Sequence, residues 1–478
     1  MTKKIPLTQA ARPLALAALA VAVSAALLMP QTARASGFQL KQGGAKALGR
    51  AYAGSATAGD DASVVVTNPA AMSALKGTVF QANVTAINFS AKFSGSAMDA
   101  FGRPISGGNG GDGGTTIPVP SFFISSQVND RMHLGFGFSV PFGFRTNYDY
   151  GWVGRYNALK SNFQSVAATF SASYDLTDSF SLGASFVAQR TNAELTSAIN
   201  FNSVGVGLVQ QAVMDGALPA AYAPTYIAQI DAVVPPGTDG LDRIKGNDWG
   251  YGWTLGGYWK LTDSDRVALA YHSKINNTLT GKATFTVPSS VTALLSSPQI
   301  QPLLAGLGGM PFANTTGSAP FTTPAYANFS YWHQAGSFGF GADVSWTQWS
   351  TFKNLTVHYA NPAQPDSVQA FNWSDTIFAS LGGEYYVNDK LTLRYGVAID
   401  GKPMTIKTRD PRVPDGTRRW VTLGLGYKPS AKLDLNVGYA HIFVSPAHVS
   451  NLSPTGDRLT GNFKDSANLL AFSAAYHF

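Results

Sequence analysis

The chain has 478 residues, with 13% charged, 45% hydrophobic, no cysteine and a formal net charge of +7. A soluble domain carries about 25% charged residues, so half the expected charge is missing, while an apolar fraction this ordinary argues against a polytopic helical membrane protein. The lack of cysteine excludes a disulfide scaffold, a Cys-ligated zinc site and a thiol nucleophile.

Lys3, Lys4 and Arg12 precede an apolar run from Leu14 to Met29, and Ala33-Arg34-Ala35 follows it. A positive start, a short apolar core and a small-x-small site predict a cleaved signal peptide over residues 1–35. That leader holds four of the 34 basic residues and no acidic one, so 30 basic face 27 acidic residues in the mature chain. The mature net charge is then near +3, and a nucleic-acid partner is not expected. Beyond the leader no apolar run reaches the ~18 residues of a membrane helix.

Residues 36–76 do not alternate. They are rich in Gly and Ala but include Phe38, Leu40, Tyr52 and Val64 to Val66. Forty residues are long for a tail. Their apolar content predicts packing as a plug, or hatch, and a disordered leader is the other reading.

From residue 77 onward the pattern has period two, the signature of strands. Fourteen are predicted: 77–95, 116–128, 131–145, 160–176, 178–196, 248–262, 265–286, 320–335, 338–359, 374–388, 390–404, 417–428, 431–449 and 463–478. In 248–262 the odd positions carry Trp249, Tyr251, Trp253, Leu255 and Trp259, with Gly and Thr between most of them. One face is greasy and aromatic, the other small or polar. Tight turns such as Asn129-Asp130 and Asn388-Asp389 alternate with long connections. An even count of long strands, one short-turn rim and one long-loop rim together predict an all-β fold, a 14-stranded antiparallel transmembrane β-barrel. Closure removes the sheet edges that lipid cannot satisfy.

Within the third strand, Val140-Pro141-Phe142-Gly143 interrupts the alternation. Proline removes a ladder donor and glycine marks a bulge or bend; either a gap in the wall or a simple rim bend follows. Arg190, in the fifth strand, has lipid-facing parity and needs a bulge to point inward. The long loops 197–247 and 287–319 carry apolar residues at helical spacing. These include Leu208, Tyr226, Ile230, Leu294 and Leu303, where water-facing loops should be polar. They pack on one another or line a greasy groove for a ligand. Arg394 lies on the small-residue face of its strand, as a lumen cation or as one half of an ion pair. The chain ends in an alternating strand with terminal Phe478, which resembles the signal read by the outer-membrane assembly machinery.

No G-x-S-x-G, Walker A or H-E-x-x-H motif occurs, and the seven His are scattered. No enzyme, metal or cofactor is expected.

These features resemble the long-chain fatty acid and hydrophobic-compound transporters of Gram-negative outer membranes. The likeness runs in order along the mature chain. It takes in Gly37-Phe38-Gln39-Leu40, Gly49-Arg50-Ala51-Tyr52, Asp60-Asp61-Ala62, Asn68-Pro69-Ala70, Gly246 to Trp253, Trp349-Ser350, Pro414-Asp415-Gly416, Trp420 and Phe478. The resemblance implies a hatch over residues 36–76, with Gly37, Phe38 and Asn68-Pro69-Ala70 in its gating. It also implies capture of a hydrophobic molecule by the outer loops and lateral exit at a third-strand kink, here Pro141, Phe142 and Gly143. Partners would be a long-chain fatty acid, or alternatively an aromatic hydrocarbon, with membrane lipid and lipopolysaccharide around the barrel. A general porin, a lipid-hydrolysing barrel and an adhesin are the rival readings.

Overall fold

The computed structural model describes residues 37–57, 59, 61–216, 218–298 and 310–478. The predicted signal peptide, Asp60 and Leu303 lie outside them. Fourteen antiparallel strands form one closed sheet. They are β1 (Thr78–Met98), β2 (Thr116–Gln127), β3 (Met132–Asn147), β4 (Lys160–Asp175), β5 (Phe180–Asn200) and β6 (Asp239–Lys260). Next come β7 (Asp265–His272 and Ile275–Thr286), β8 (Thr315–Thr323 and Tyr326–Ala335), β9 (Phe338–Thr347 and Asn354–Tyr359) and β10 (Ser367–Ala370 and Thr376–Tyr386). The last are β11 (Leu391–Asp400), β12 (Arg418–Ser430), β13 (Leu433–Val444 and Ala447–Leu452) and β14 (Arg458–His477). Each strand pairs with its sequence neighbours, and β1 pairs with β14 from Val79↔His477 to Met98↔Arg458, closing the barrel.

The predicted parity holds. In β6, Trp249, Tyr251, Trp253, Leu255 and Trp259 all point outward, Tyr251 with 62% of its surface uncovered. Gly252, Thr254 and Gly256 point inward and are buried. A strand this long with an aromatic outer face requires an apolar surround. Among the described residues no helix is long and apolar enough to cross a membrane.

The strand ends differ from expectation in one consistent way. The ladder of β5 with β6 continues to Asn200↔Asp239, so the loop predicted as 197–247 is 201–238. Likewise β8 begins at Thr315, which shortens 287–319 to 287–314. In β5, Thr196 to Asn200 are covered on both faces, so alternation fades there although backbone pairing continues. In the opposite sense β11 stops at Asp400, before the predicted 404, where Pro403 cannot donate to a ladder.

The described residues between 37 and 75 are packed against the inner face of the wall. Helix α1 (Ala45–Gly49) lies on β11 to β14, while α2 (Val64–Thr67) and a 3-10 turn (Pro69–Ala74) lie on β2 to β6. Close approach is possible because the wall is glycine there. A Cβ on Gly382 or Gly396 would land on the Arg50 carbonyl, and one on Gly438 on that of Ala45. Asn68 caps the 3-10 turn: its side chain accepts from the Ala70 N–H and donates to the Gly257 carbonyl. Pro69 follows at the first position, where its missing N–H costs nothing. Buried charges tie the segment down. Arg50 meets Glu384 at 2.7 Å, Arg394 meets the same carboxylate at 2.6 Å, and Lys46 meets Asp434 at 2.5 Å.

Helices α3 (Phe201–Met214), α4 (Ala223–Val233) and α5 (Ser289–Leu295) cover the long-loop rim. They pack on one another and on the strand tops through Ile199, Phe201, Val234 and Val291, with Leu294 against that cluster.

Candidate functional site

The site begins with the broken third strand. Ser139 pairs with Ala167 and Phe142 with Ser165, so Val140 and Pro141 together oppose Val166 in a bulge. On the other edge of β3, pairing with β2 ends at Phe122↔Phe138. The next backbone bond across that edge is from the Asn147 N–H to the carbonyl of Gly113, in the loop before β2, at 2.9 Å. Between these points β2 and β3 are unpaired, which leaves a window in the wall. Pro118 and Pro120 of β2 fit this arrangement. Alternate residues send their N–H groups to the same neighbour. Both missing donors therefore fall on one edge of β2, and only the window edge has no ladder to lose.

Residues 37–42 cross the inside of the window as a surrogate strand. Leu40 N–H donates to the Pro141 carbonyl at 2.9 Å, and Gly143 N–H donates to the Phe38 carbonyl at 3.0 Å. Arg418 donates to the Gly37 carbonyl at 2.6 Å, and Thr347 donates to Gln39 Oε1 at 3.0 Å. Gly37 has φ +56°, and a Cβ there would lie 2.6 Å from the Trp373 ring, so glycine is required.

Phe38 is the hub of an aromatic cluster. Its ring lies 4.7–6.2 Å from those of Phe142, Phe144, Phe163, Phe321, Trp349, Phe352 and Trp373. The breaks in β9 and β10 supply much of it: the turn Trp349–Thr351 and residues 371–375 turn Trp349, Phe352, Phe371 and Trp373 inward.

Two cavities meet at this hub. The larger, about 160 Å³, is lined by Leu40, Lys41, Ile87, Trp420 and, at the window, Val119 and Val140. The smaller, about 70 Å³, is lined by Phe163, Leu279, Phe321, Phe352, Leu355 and Phe371. Phe38, Phe144, Arg412 and Val413 border both. Arg412 and Val413 come from the connection 401–417, which folds inward and is held by the Tyr148 hydroxyl on the Pro411 carbonyl at 2.7 Å. There burial pushes the Asp415 carboxyl up and Arg418 pulls it down. Arg412 is paired with Asp410 at 3.2 Å and Arg418 with Asp415 at 3.0 Å.

Sequence-predicted residues divide into three groups. Gly37, Phe38, Pro141, Phe142 and Gly143 come together at the window. Asn68-Pro69-Ala70 anchors the same segment elsewhere, against β5 and β6. The ligand candidates among the described residues do not line these cavities. Leu208 and Tyr226 are exposed on the loop helices, Ile230 packs over Gly205, and Leu294 joins the loop cluster. Arg190 stays on the outer face, 5.5 Å over the Trp249 ring, because the β5 registers run without a bulge. Arg394 is inward but committed to Glu384 and Asn436. Sequence reasoning missed Lys41 and Arg412. The stretch 407–419 is dense in Arg, Lys and Asp within a charge-poor chain, and that density was the available signal.

The family model for outer membrane protein transport proteins (OMPP1/FadL/TodX) matches residues 26–478. Outer membrane protein P1 of Haemophilus influenzae is 27% identical over 462 residues, covering 93% of this chain and 94% of the relative. The long-chain fatty acid transport protein of Escherichia coli K12 is 26% identical over 430 residues, covering 88% and 91%. A crystal structure of a Pseudomonas aeruginosa FadL homologue aligns with TM-score 0.82 at 28% identity, over 93% of this chain and all of that one. The toluene transporter TodX of Pseudomonas putida shares the fold, with TM-score 0.64 at 19% identity over 92% and 99%. The chain therefore belongs to the OMPP1/FadL/TodX family: it is an outer-membrane β-barrel that transports hydrophobic compounds, not an enzyme.

Proposed function

We propose that this barrel carries long-chain fatty acids and releases them sideways through the window between β2 and β3, with residues 36–76 as the hatch. One observation carries the reading: the apolar cavity runs from the Phe38 hub to the unpaired edges of β2 and β3. A water-sized group needs roughly 15 Å³ by this measure, so the larger cavity takes on the order of ten such groups and the smaller about five. That suits an extended chain better than a single ring. Each methylene gains about 0.8 kcal/mol on burial, so the acyl chain has reason to leave water for this track. Residues 37–42 block the track and are held by a few hydrogen bonds and ring contacts. Their displacement opens the way to the window. The second reading, an aromatic hydrocarbon, is favoured by the smaller cavity, whose Phe163, Phe321, Phe352 and Phe371 would clasp one ring.

Competitive binding of oleate and toluene to the purified protein separates the two: the fatty-acid reading expects oleate to win. The lateral route is tested by deleting Val140 and replacing Pro141→Val, which restores a regular β3 able to pair with β2. Oleate uptake by cells is expected to fall at least tenfold, while the barrel still resists SDS until boiled. Undiminished uptake would rule out the window as the exit.

A further inference from the structure

We propose that Lys41 is the anchor for the ligand's carboxylate, which makes the site selective for an amphipathic acid over a neutral hydrocarbon. This rests on the fatty-acid reading above and names the residue that would enforce it.

Lys41 follows the residues that bridge to the β3 bulge and borders both the larger cavity and the small one beside Phe378. The other cations on that wall are engaged or exposed. Arg412 and Arg418 each hold an aspartate, and Arg145 is exposed, with Asn162 as its partner. Lys41 has no carboxylate within 4.0 Å among the described residues; its ammonium sits 3.9 Å over the Phe378 ring. Asp343 and Asp400 act on it only from farther away. Asp343 accepts from Ser330 and Ser345, and Asp400 lies 3.8 Å from Arg418. Burial lowers the proton affinity of the Lys41 ammonium, and the two aspartates oppose that effect. A half-buried ammonium without a hydrogen-bonded counter-ion is a costly group to maintain.

The surroundings have the polarity of an amphipathic ligand. On one side of Lys41 the cavity is apolar, with Ile87, Phe89, Ile117 and Val119 leading to the window. On the other side lies a small cavity of mixed polarity, about 40 Å³, where Ser55, Asn328, Asp343 and Ser345 face Leu40 and Phe378. The buried Oδ1 of Asn328 has no hydrogen-bond partner; which amide atom faces the cavity is interchangeable by a flip. A carboxylate at Lys41 would gain a charge-assisted hydrogen bond and place its tail along β1 and β2 toward the window. A toluene-like ring has nothing to offer the ammonium beyond the contact Phe378 already makes.

The test compares radiolabelled oleate and methyl oleate, which share the chain but not the charge, on the purified barrel carrying Lys41, Lys41→Met or Lys41→Arg. Wild type is expected to bind oleate at least tenfold more tightly than the ester. Lys41→Met should remove that preference by weakening oleate alone, and Lys41→Arg should largely retain it. SDS resistance before boiling confirms that each variant is folded. If oleate and ester bind alike to wild type, or if Lys41→Met weakens both equally, Lys41 is not the anchor while the fatty-acid reading stands. If wild type binds neither, both proposals fall.

Discussion

Phe38 and Glu384 show how single residues divide the work of holding a movable segment. Truncating a buried phenylalanine costs about 3–5 kcal/mol. Here that cost falls on the docking of residues 37–42, because the seven rings around Phe38 all belong to the wall and to the breaks in β9 and β10 rather than to the segment. Phe38→Ala is therefore expected to change oleate uptake without altering the SDS resistance of the barrel, and unchanged uptake would deny Phe38 a gating part. Glu384 is the converse case. Its carboxylate serves Arg50 of the segment and Arg394 of the wall together, both buried. Removing one member of such a group costs about 3–5 kcal/mol. Glu384→Ala should loosen the segment from residue 44 onward. Sensitivity to large hydrophilic antibiotics, scored against wild type, is expected to rise.

At the scale of elements, the wall was readable and the site only in part. Trp249 to Trp259 announce their strand because lipid on one side and packed protein on the other impose opposite chemistry on neighbouring residues. The bulge in β3 was visible as Pro141 and Gly143, since a missing donor is a property of the residue itself. Whether it opened a gap depended on β2, whose Pro118 and Pro120 carry that information only once the strands are placed side by side. The amphipathic loop spacing was real, but only part of it is used in packing: Val206 and Val209 of α3 are buried, while Leu208 and Tyr226 stay exposed on the loop helices. The inward glycines have a direct consequence. Gly396→Val places a side chain where the Arg50 backbone lies. The segment should be displaced while β11 keeps its ladder, and a cysteine introduced at Ala45 should become reactive to a water-soluble maleimide. No gain in labelling would mean that the wall yields instead.

For the whole molecule, barrel and inner segment are separable in energy although joined in sequence. The ladder that closes the barrel runs strand to strand and does not pass through residues 37–76, although Lys46 and Arg50 of that segment pair with Asp434 and Glu384 of the wall. Deletion of residues 36–76 is expected to leave an SDS-resistant barrel with altered uptake, and an unfolded product would show that the segment is structural. The order of synthesis adds a constraint. The inner segment precedes β1, yet α1 rests on β11 to β14, the last strands to be made. Contacts between chain ends this distant form late. Helix α1, made before any strand, is thus among the last elements to find its place. Until β11 to β14 are in place α1 lacks the wall it rests on, whereas α2 and the 3-10 turn, which rest on β2 to β6, have theirs much earlier.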